Sequence, residues 1–243
     1  MLTQQTIEKL GKLKLHGMIQ SFQEQLDSCE MGSLSFEERL GLLVDREWDA
    51  RQGRSLTRRL QMARLKVAAC VEDIDYRHPR GLNKGQILDL TSCRWIAARR
   101  NLIFTGATGT GKTWLACAFG NKACRESFST AYHRVPRLLE ELSVAKADGT
   151  YLKVLGSIAR TDLLILDDWG LVALSGTAQH NLLEVIDDRA GVRSTILTSQ
   201  LPIEKWHDTI GDPSVADAIL DRILGSATHI PLKGESMRKP PKK

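Results

Sequence analysis

Residues Gly106-Ala107-Thr108-Gly109-Thr110-Gly111-Lys112-Thr113 spell G-x-x-x-x-G-K-[ST] in full. An apolar run, Asn101-Leu102-Ile103-Phe104-Thr105, precedes them and reads as a buried strand; a helical pattern over 112–126 follows. That strand–loop–helix setting gives the motif its meaning. Glycine permits backbone angles and close approaches that a Cβ would block. Successive N–H groups then turn inward as a nest for anions, and the helix N-terminus adds partial positive charge. Lys112 is expected to reach the β- and γ-phosphates of a nucleoside triphosphate, and the Thr113 hydroxyl to ligate Mg²⁺. Gly106 to Thr113 together with Trp114 form the expected nucleotide-binding set. A Gly-rich turn ending by chance in Lys-Thr would leave the strand and helix flanks unexplained.

The second half of such a site is an acid at the end of an apolar strand. Leu163-Leu164-Ile165-Leu166-Asp167-Asp168 supplies it. Asp167 is expected to hold Mg²⁺ and Asp168 to orient the attacking water. Asp167-Asp168-Trp169-Gly170 also satisfies the D-x-x-G of GTPases, but Asn121-Lys122-Ala123-Cys124 lacks the aspartate of N-K-x-D. A strand at 130–135 intervenes before Asp167, the spacing of additional-strand ATPases. The nucleotide expected is therefore ATP. Further strands are read at 194–199 and 228–232, with helices near 136–147, 177–190 and 214–225 between them. Buried strands separated by helices predict a parallel sheet in a three-layer α/β sandwich. Gln200, closing the 194–199 strand, is a candidate γ-phosphate sensor or merely a polar strand end. Arg222 is a candidate finger toward a neighbouring subunit's phosphate, or a surface arginine paired with Asp217 or Asp221.

Residues 1–70 read as a small helical domain. Leu15, Met18, Phe22 and Leu26 share one face. Ser35 and Glu38 make a capping box, and Leu40, Leu43, Val44 and Trp48 continue an apolar stripe. A third pattern places Leu56, Leu60, Ala63 and Val67 opposite Arg51, Arg54, Arg58, Arg59 and Lys66. Residues 71–100 read as a hinge-like linker, broken at His78-Pro79 and Gly81, with a helix from Gln86 to Arg100. The ATPase core is expected over 101–232 and a basic solvated tail over 233–243.

Charge bears on partners. Lys+Arg 34 against Asp+Glu 29 gives +5. Residues 1–100 carry 17 basic and 13 acidic side chains, so +4 of that excess lies ahead of the phosphate loop. Arg51, Arg54, Arg58, Arg59 and Lys66 are candidate phosphate contacts to duplex DNA, or simply a solvated helix face. Arg134 and Arg137, near Lys146 and Lys153, form a second candidate cluster. No apolar stretch suits a membrane span, no leader is read at the N-terminus, and the five scattered cysteines suit a reducing cytoplasm.

Several segments together resemble a known family. They are Leu13-Lys14-Leu15-His16-Gly17-Met18, Phe104 to Thr113, Leu164 to Gly170, Leu197-Thr198-Ser199-Gln200, Asp221-Arg222-Ile223 and Gly234-Glu235-Ser236-Met237-Arg238. The chain resembles AAA+ ATPases of the helicase-loader clade, most closely IstB-type ATP-binding proteins of insertion sequences. The resemblance implies a P-loop AAA+ core with a five-stranded parallel sheet after an all-α N-terminal domain. It implies an ATPase that binds duplex DNA with little sequence preference, self-assembles with ATP and stimulates an IstA-type transposase. By the same resemblance Asp167 is the Walker B residue, Asp168 replaces the usual catalytic Glu, Gln200 lies at sensor 1 and Arg222 is the arginine finger. Most AAA+ proteins carry a helical lid after the sheet. Here the lid is expected to be absent, with Arg238 the one tail candidate for its arginine. A DnaC-like loader of the replicative helicase, a small-molecule P-loop kinase and a nucleotide-gated adaptor with negligible turnover are the alternatives.

Overall fold

The computed structural model describes residues 2–28, 31, 33–174 and 176–237. The chain divides into two compact units, with the boundary between Arg58 and Arg59.

The first unit holds α1 (Leu2–Lys12), α2 (His16–Asp27) and the greater part of α3 (Phe36–Ala63). The capping box forms as the sequence dictates. Ser35 N donates to Glu38 Oε2 at 2.8 Å, and Glu38 N donates to Ser35 Oγ at 3.2 Å. The two helical patterns read over 36–67 are one 28-residue helix, and Val67 lies beyond its end. Gly41 and Gly53 do not break it: each faces open space, where glycine costs only about 1 kcal/mol against alanine. Its stripe of Leu40, Val44 and Trp48 is exposed, Trp48 to 63%.

Gly17 explains how α2 meets α3. A Cβ there would stand 2.6 Å from the Arg46 carbonyl oxygen and 2.7 Å from Glu47 Cα, so glycine lets the two backbones touch. Glu47, 5% exposed, then caps the start of α2, accepting from Gly17 N at 2.6 Å and Met18 N at 3.3 Å. An acid at a helix N-terminus satisfies orphan donors and complements the helix dipole.

The second unit begins with residues 59–70, whose Ala69 is buried in its core with Leu65 and Val67 packed alongside. The expected helix 86–100 is two short ones, α4 (Lys84–Leu90) and α5 (Arg94–Ala97). Thr91 and Ser92 hydroxyls donate back to Leu88 O and Asp89 O, and Cys93 at φ 56 turns the chain. Ile87, Leu90, Cys93, Trp95 and Ile96 are all buried, so this stretch packs into the core of the second unit.

Five strands follow: β1 (Asn101–Gly106), β2 (Thr130–Arg134), β3 (Leu163–Trp169), β4 (Ser194–Ser199) and β5 (Ala227–Leu232). All pairings are parallel, in the order β2-β3-β4-β1-β5. The connecting helices are α6 (Lys112–Arg125), α7 (Val135–Ala147), α8 (Tyr151–Arg160), α9 (Gly176–Asp187), α10 (Trp206–Ile210) and α11 (Pro213–Leu224). Strand side chains alternate between two cores. Leu102, Phe104, Leu163 and Ile165 face one, with α6; Ile103, Leu164 and Leu166 face the other, with α7, α9 and α11. This is the expected three-layer sandwich. Among the described residues no helix follows β5.

The strand starts are pinned by polar side chains. Buried Arg189 donates to Ile158 O at 2.7 Å, Thr161 O at 2.8 Å and Ser194 O at 2.5 Å. Asn101 accepts from Thr195 N and donates to Ile223 O. The nucleotide-site segments occupy the opposite ends of the strands.

Candidate nucleotide site

Three glycines shape the loop after β1, with φ of +147° at Gly106, +88° at Gly109 and +93° at Gly111. Gly111 is the N-cap of α6, so the loop runs directly into the helix start. The Lys112 ammonium lies across the loop, donating to Gly106 O at 2.6 Å and Ala107 O at 2.8 Å.

The strand order brings the acids to this loop. β3 and β1 flank β4, and Asp167 is fully buried where all three meet. Its Oδ1 accepts from Thr113 Oγ1 at 2.8 Å and from Thr198 Oγ1; its Oδ2 accepts from Tyr132 Oη at 2.5 Å. Burial first, and this hydrogen bond second, push the Tyr132 phenol up, so it stays a donor. Asp168 follows in the left-handed region at φ 62, where the β3–β4 register shifts between Leu166 and Trp169. Its Oδ2 accepts from Arg134 Nε at 2.7 Å. Thr108 Oγ1 donates to Gln200 Oε1 at 2.7 Å, tying the loop to the end of β4.

The phosphate loop borders a cavity of about 680 Å³, with Lys66, Arg80, Lys112, Thr113, Trp114, Arg134, Asp168, Gln200 and Met237 on its walls. That volume falls among pockets of about 300–1,000 Å³ that enclose small-molecule ligands. The chemistry is that of a phosphate ester with a hard cation. Backbone amides and the cations Lys66, Arg80, Lys112 and Arg134 suit the anion, while the Thr113 hydroxyl and Asp167 carboxylate are the oxygen donors Mg²⁺ prefers.

The structure brings together Gly106 through Trp114, Asp167, Asp168 and Gln200. Two of the expected DNA contacts also stand at this cavity. The Lys66 Nζ stands 3.7 Å from Asp167 Oδ2 and Arg134 binds Asp168, so both cations belong to the cavity. Arg51 and Arg54 both reach Glu47 Oε1, at 2.7 and 3.3 Å, and Arg59 Nε donates to Cys124 O. Arg58 and Arg137 are exposed. Arg222 pairs with Asp187 at 2.6 Å, a partner other than Asp217 or Asp221. Arg238 lies outside the described residues. Sequence reasoning missed Tyr132, Thr198 and Arg80. Thr198 lay within a quoted strand end, and the other two carry no signal without the register of β2 or the path of the tail.

A phosphate loop on β1, an aspartate pair on β3 and β4 between them define a P-loop nucleotide-binding protein of the AAA+ type. The fold agrees with solved structures. The DnaC helicase loader superposes with a TM-score of 0.56 at 20% identity, covering 68% of this chain and 97% of its own. AMPPCP-bound DnaA from Aquifex aeolicus superposes with a TM-score of 0.57 at 20% identity, covering 72% and 53%. The sequence is narrower in its likeness. An insertion-sequence ATP-binding protein of Sinorhizobium fredii is 48% identical over 239 residues, 98% of each chain. Another, from Pseudomonas fluorescens, is 54% identical over 203 residues, 83% of this chain and 88% of its own. The profile of the IstB-like ATP binding protein family matches residues 8–243, and the chain belongs to that family.

Proposed function

We propose that this protein is a Mg²⁺-dependent ATPase that assembles on duplex DNA and recruits or stimulates the transposase of its insertion sequence. The observation that carries the catalytic part is the 2.8 Å bond between Thr113 Oγ1 and Asp167 Oδ1, with Asp168 beside it in the same cavity. Thr113 and Asp167 would hold Mg²⁺, which when bound supplies charge neutralisation at the phosphates. The loop amides and Lys112 bind and orient the triphosphate. Asp168 orients water for attack on the γ-phosphorus; the bond to the bridging oxygen breaks and ADP leaves with that electron pair. Arg134 holds the Asp168 carboxylate, so release of that bond sets the acid free to take the water's proton. Gln200, held by Thr108 Oγ1, is read as the sensor of the terminal phosphate.

Arg222 is read as the group that reaches a neighbour's γ-phosphate, exchanging Asp187 for it, which couples ATP to assembly. Arg58 and Arg137 are the exposed cations best suited to DNA phosphates. The insertion-sequence relatives favour a transposase as partner. The DnaC likeness keeps a helicase-loading role as the second reading, and the two separate on which partner is pulled down. No helix of the described residues is long and apolar enough to cross a membrane.

The test is mass as a function of nucleotide. Sedimentation with Mg²⁺, a non-hydrolysable ATP analogue and duplex DNA is expected to show large assemblies for the parent and none for Lys112→Ala. Equal assemblies in both would remove nucleotide from the coupling.

A further inference from the structure

Two glycines of the phosphate loop are filled from outside. A Cβ at Gly109 would lie 2.0 Å from Ser236 Oγ, and one at Gly111 would lie 2.6 Å from Arg80 Nη1. Anion nesting alone does not require this. Ser236 belongs to the tail after β5, which returns across the loop. Met237 N donates to Gly109 O at 3.0 Å, and Lys233 N donates to Arg80 O at 3.0 Å. Gly234, at φ +92°, passes so near Pro79 that a Cβ would meet its carbonyl oxygen at 2.6 Å. The tail is thus strapped to both the loop and the Arg80 turn.

Arg80 is 2% exposed, and among the described residues its guanidinium hydrogen-bonds only to neutral acceptors. It reaches Thr110 O at 3.4 Å, Asp75 O at 3.3 Å and the Met237 sulfur at 3.2 Å, and its Nε has no hydrogen-bond partner among the described residues. The Asp75 carboxylate pairs with Arg77 instead. A buried cation that has the Asp75 carboxylate nearby but hydrogen-bonds to no carboxylate is costly, and a polyanionic ligand alongside would offset part of that cost. The cavity that takes in the loop and Asp168 also takes in Val67, Asp75, Arg80, Trp114 and Met237. Phosphate chemistry accounts for the first group. The second offers apolar faces, a thioether and polar edges, the lining of a site for a heterocycle.

We propose that Lys233–Met237, anchored on Arg80, forms the wall that holds the base and sugar of the bound nucleotide, where a separate lid would otherwise close. This rests on the ATP reading above and names the residues that select the nucleoside half. The tail becomes a specificity element, and Met237 its contact residue.

The experiment compares equilibrium binding of ATP and of inorganic tripolyphosphate to the full chain, with 8-azido-ATP photolabelling alongside. The parent is expected to favour ATP and to carry label on a peptide containing Met237 or on the Val67–Arg80 stretch. Met237→Ala should cut the preference for ATP about five-fold or more, as a lost apolar contact does, leaving tripolyphosphate affinity alone. Met237→Leu should restore the preference. An unchanged preference in Met237→Ala, or label confined to other peptides, overturns the wall while leaving the ATP reading intact. A parent that binds neither ligand overturns both.

Discussion

Asp168 stands in the left-handed region with its carboxylate on Arg134. Aspartate is among the few side chains that tolerate that backbone. A glutamate there would gain reach and meet more strain, which gives the shorter acid at this position a local cause. Asp168→Asn is expected to lower ATP turnover by about 100-fold or more, the usual worth of a positioned general base. Arg134→Ala frees the same carboxylate and is expected to raise DNA-independent turnover several-fold; phosphate release measured without DNA checks both. Charge counting carries no register, so the pairing of Arg134 and Lys66 with the Asp168 and Asp167 carboxylates was not legible in the sequence. The β2–β3 pairing sets Arg134 opposite Asp167, and that pairing joins residues 33 apart in the chain.

At the level of elements, the strands were legible because β-rich apolar runs buried on both faces leave few other readings. The long helices were legible from their periodicity. α8 and α10 were not: ten and five residues are too short for periodicity to declare itself. The break between α4 and α5 depends on hydroxyl-to-carbonyl bonds that compete with the helix, a choice made by tertiary context. The glycine of Leu-His-Gly-Met acquires its reason only when α2 lies on α3. Gly17→Ala drives a Cβ into backbone and is expected to cost about 1–3 kcal/mol, read from urea unfolding. The Arg51 hydrogen bond, outweighing burial and helped by the Gly17 and Met18 amides, holds Glu47 below its ordinary value of 4.5. That stabilisation is complete above pH 4.5 and fades as pH falls through the lowered value. Helicity of the first unit should therefore drop in acid below pH 4.5, and Glu47→Gln should flatten that dependence in a circular-dichroism titration.

For the whole molecule, DNA affinity is expected to be electrostatic and sequence-tolerant. Arg58→Ala and Arg137→Ala should each reduce the slope of log K against log salt by about 1. Arg51→Ala should change it less, since that guanidinium already has Glu47. Fluorescence anisotropy at several salt concentrations distinguishes them. The sheet itself is unequal along its length. Its far end is tied by Arg189 and Asn101 to carbonyls and amides of three separate segments, 158–161, 194–195 and Ile223. Its near end is cut into loops for the ligand. Amide protons at Leu163, Leu164 and Thr195 should hence exchange with deuterium only through global opening, while those of the phosphate loop exchange through cheap local fluctuations. The protein can breathe around its ligand without letting go of its frame.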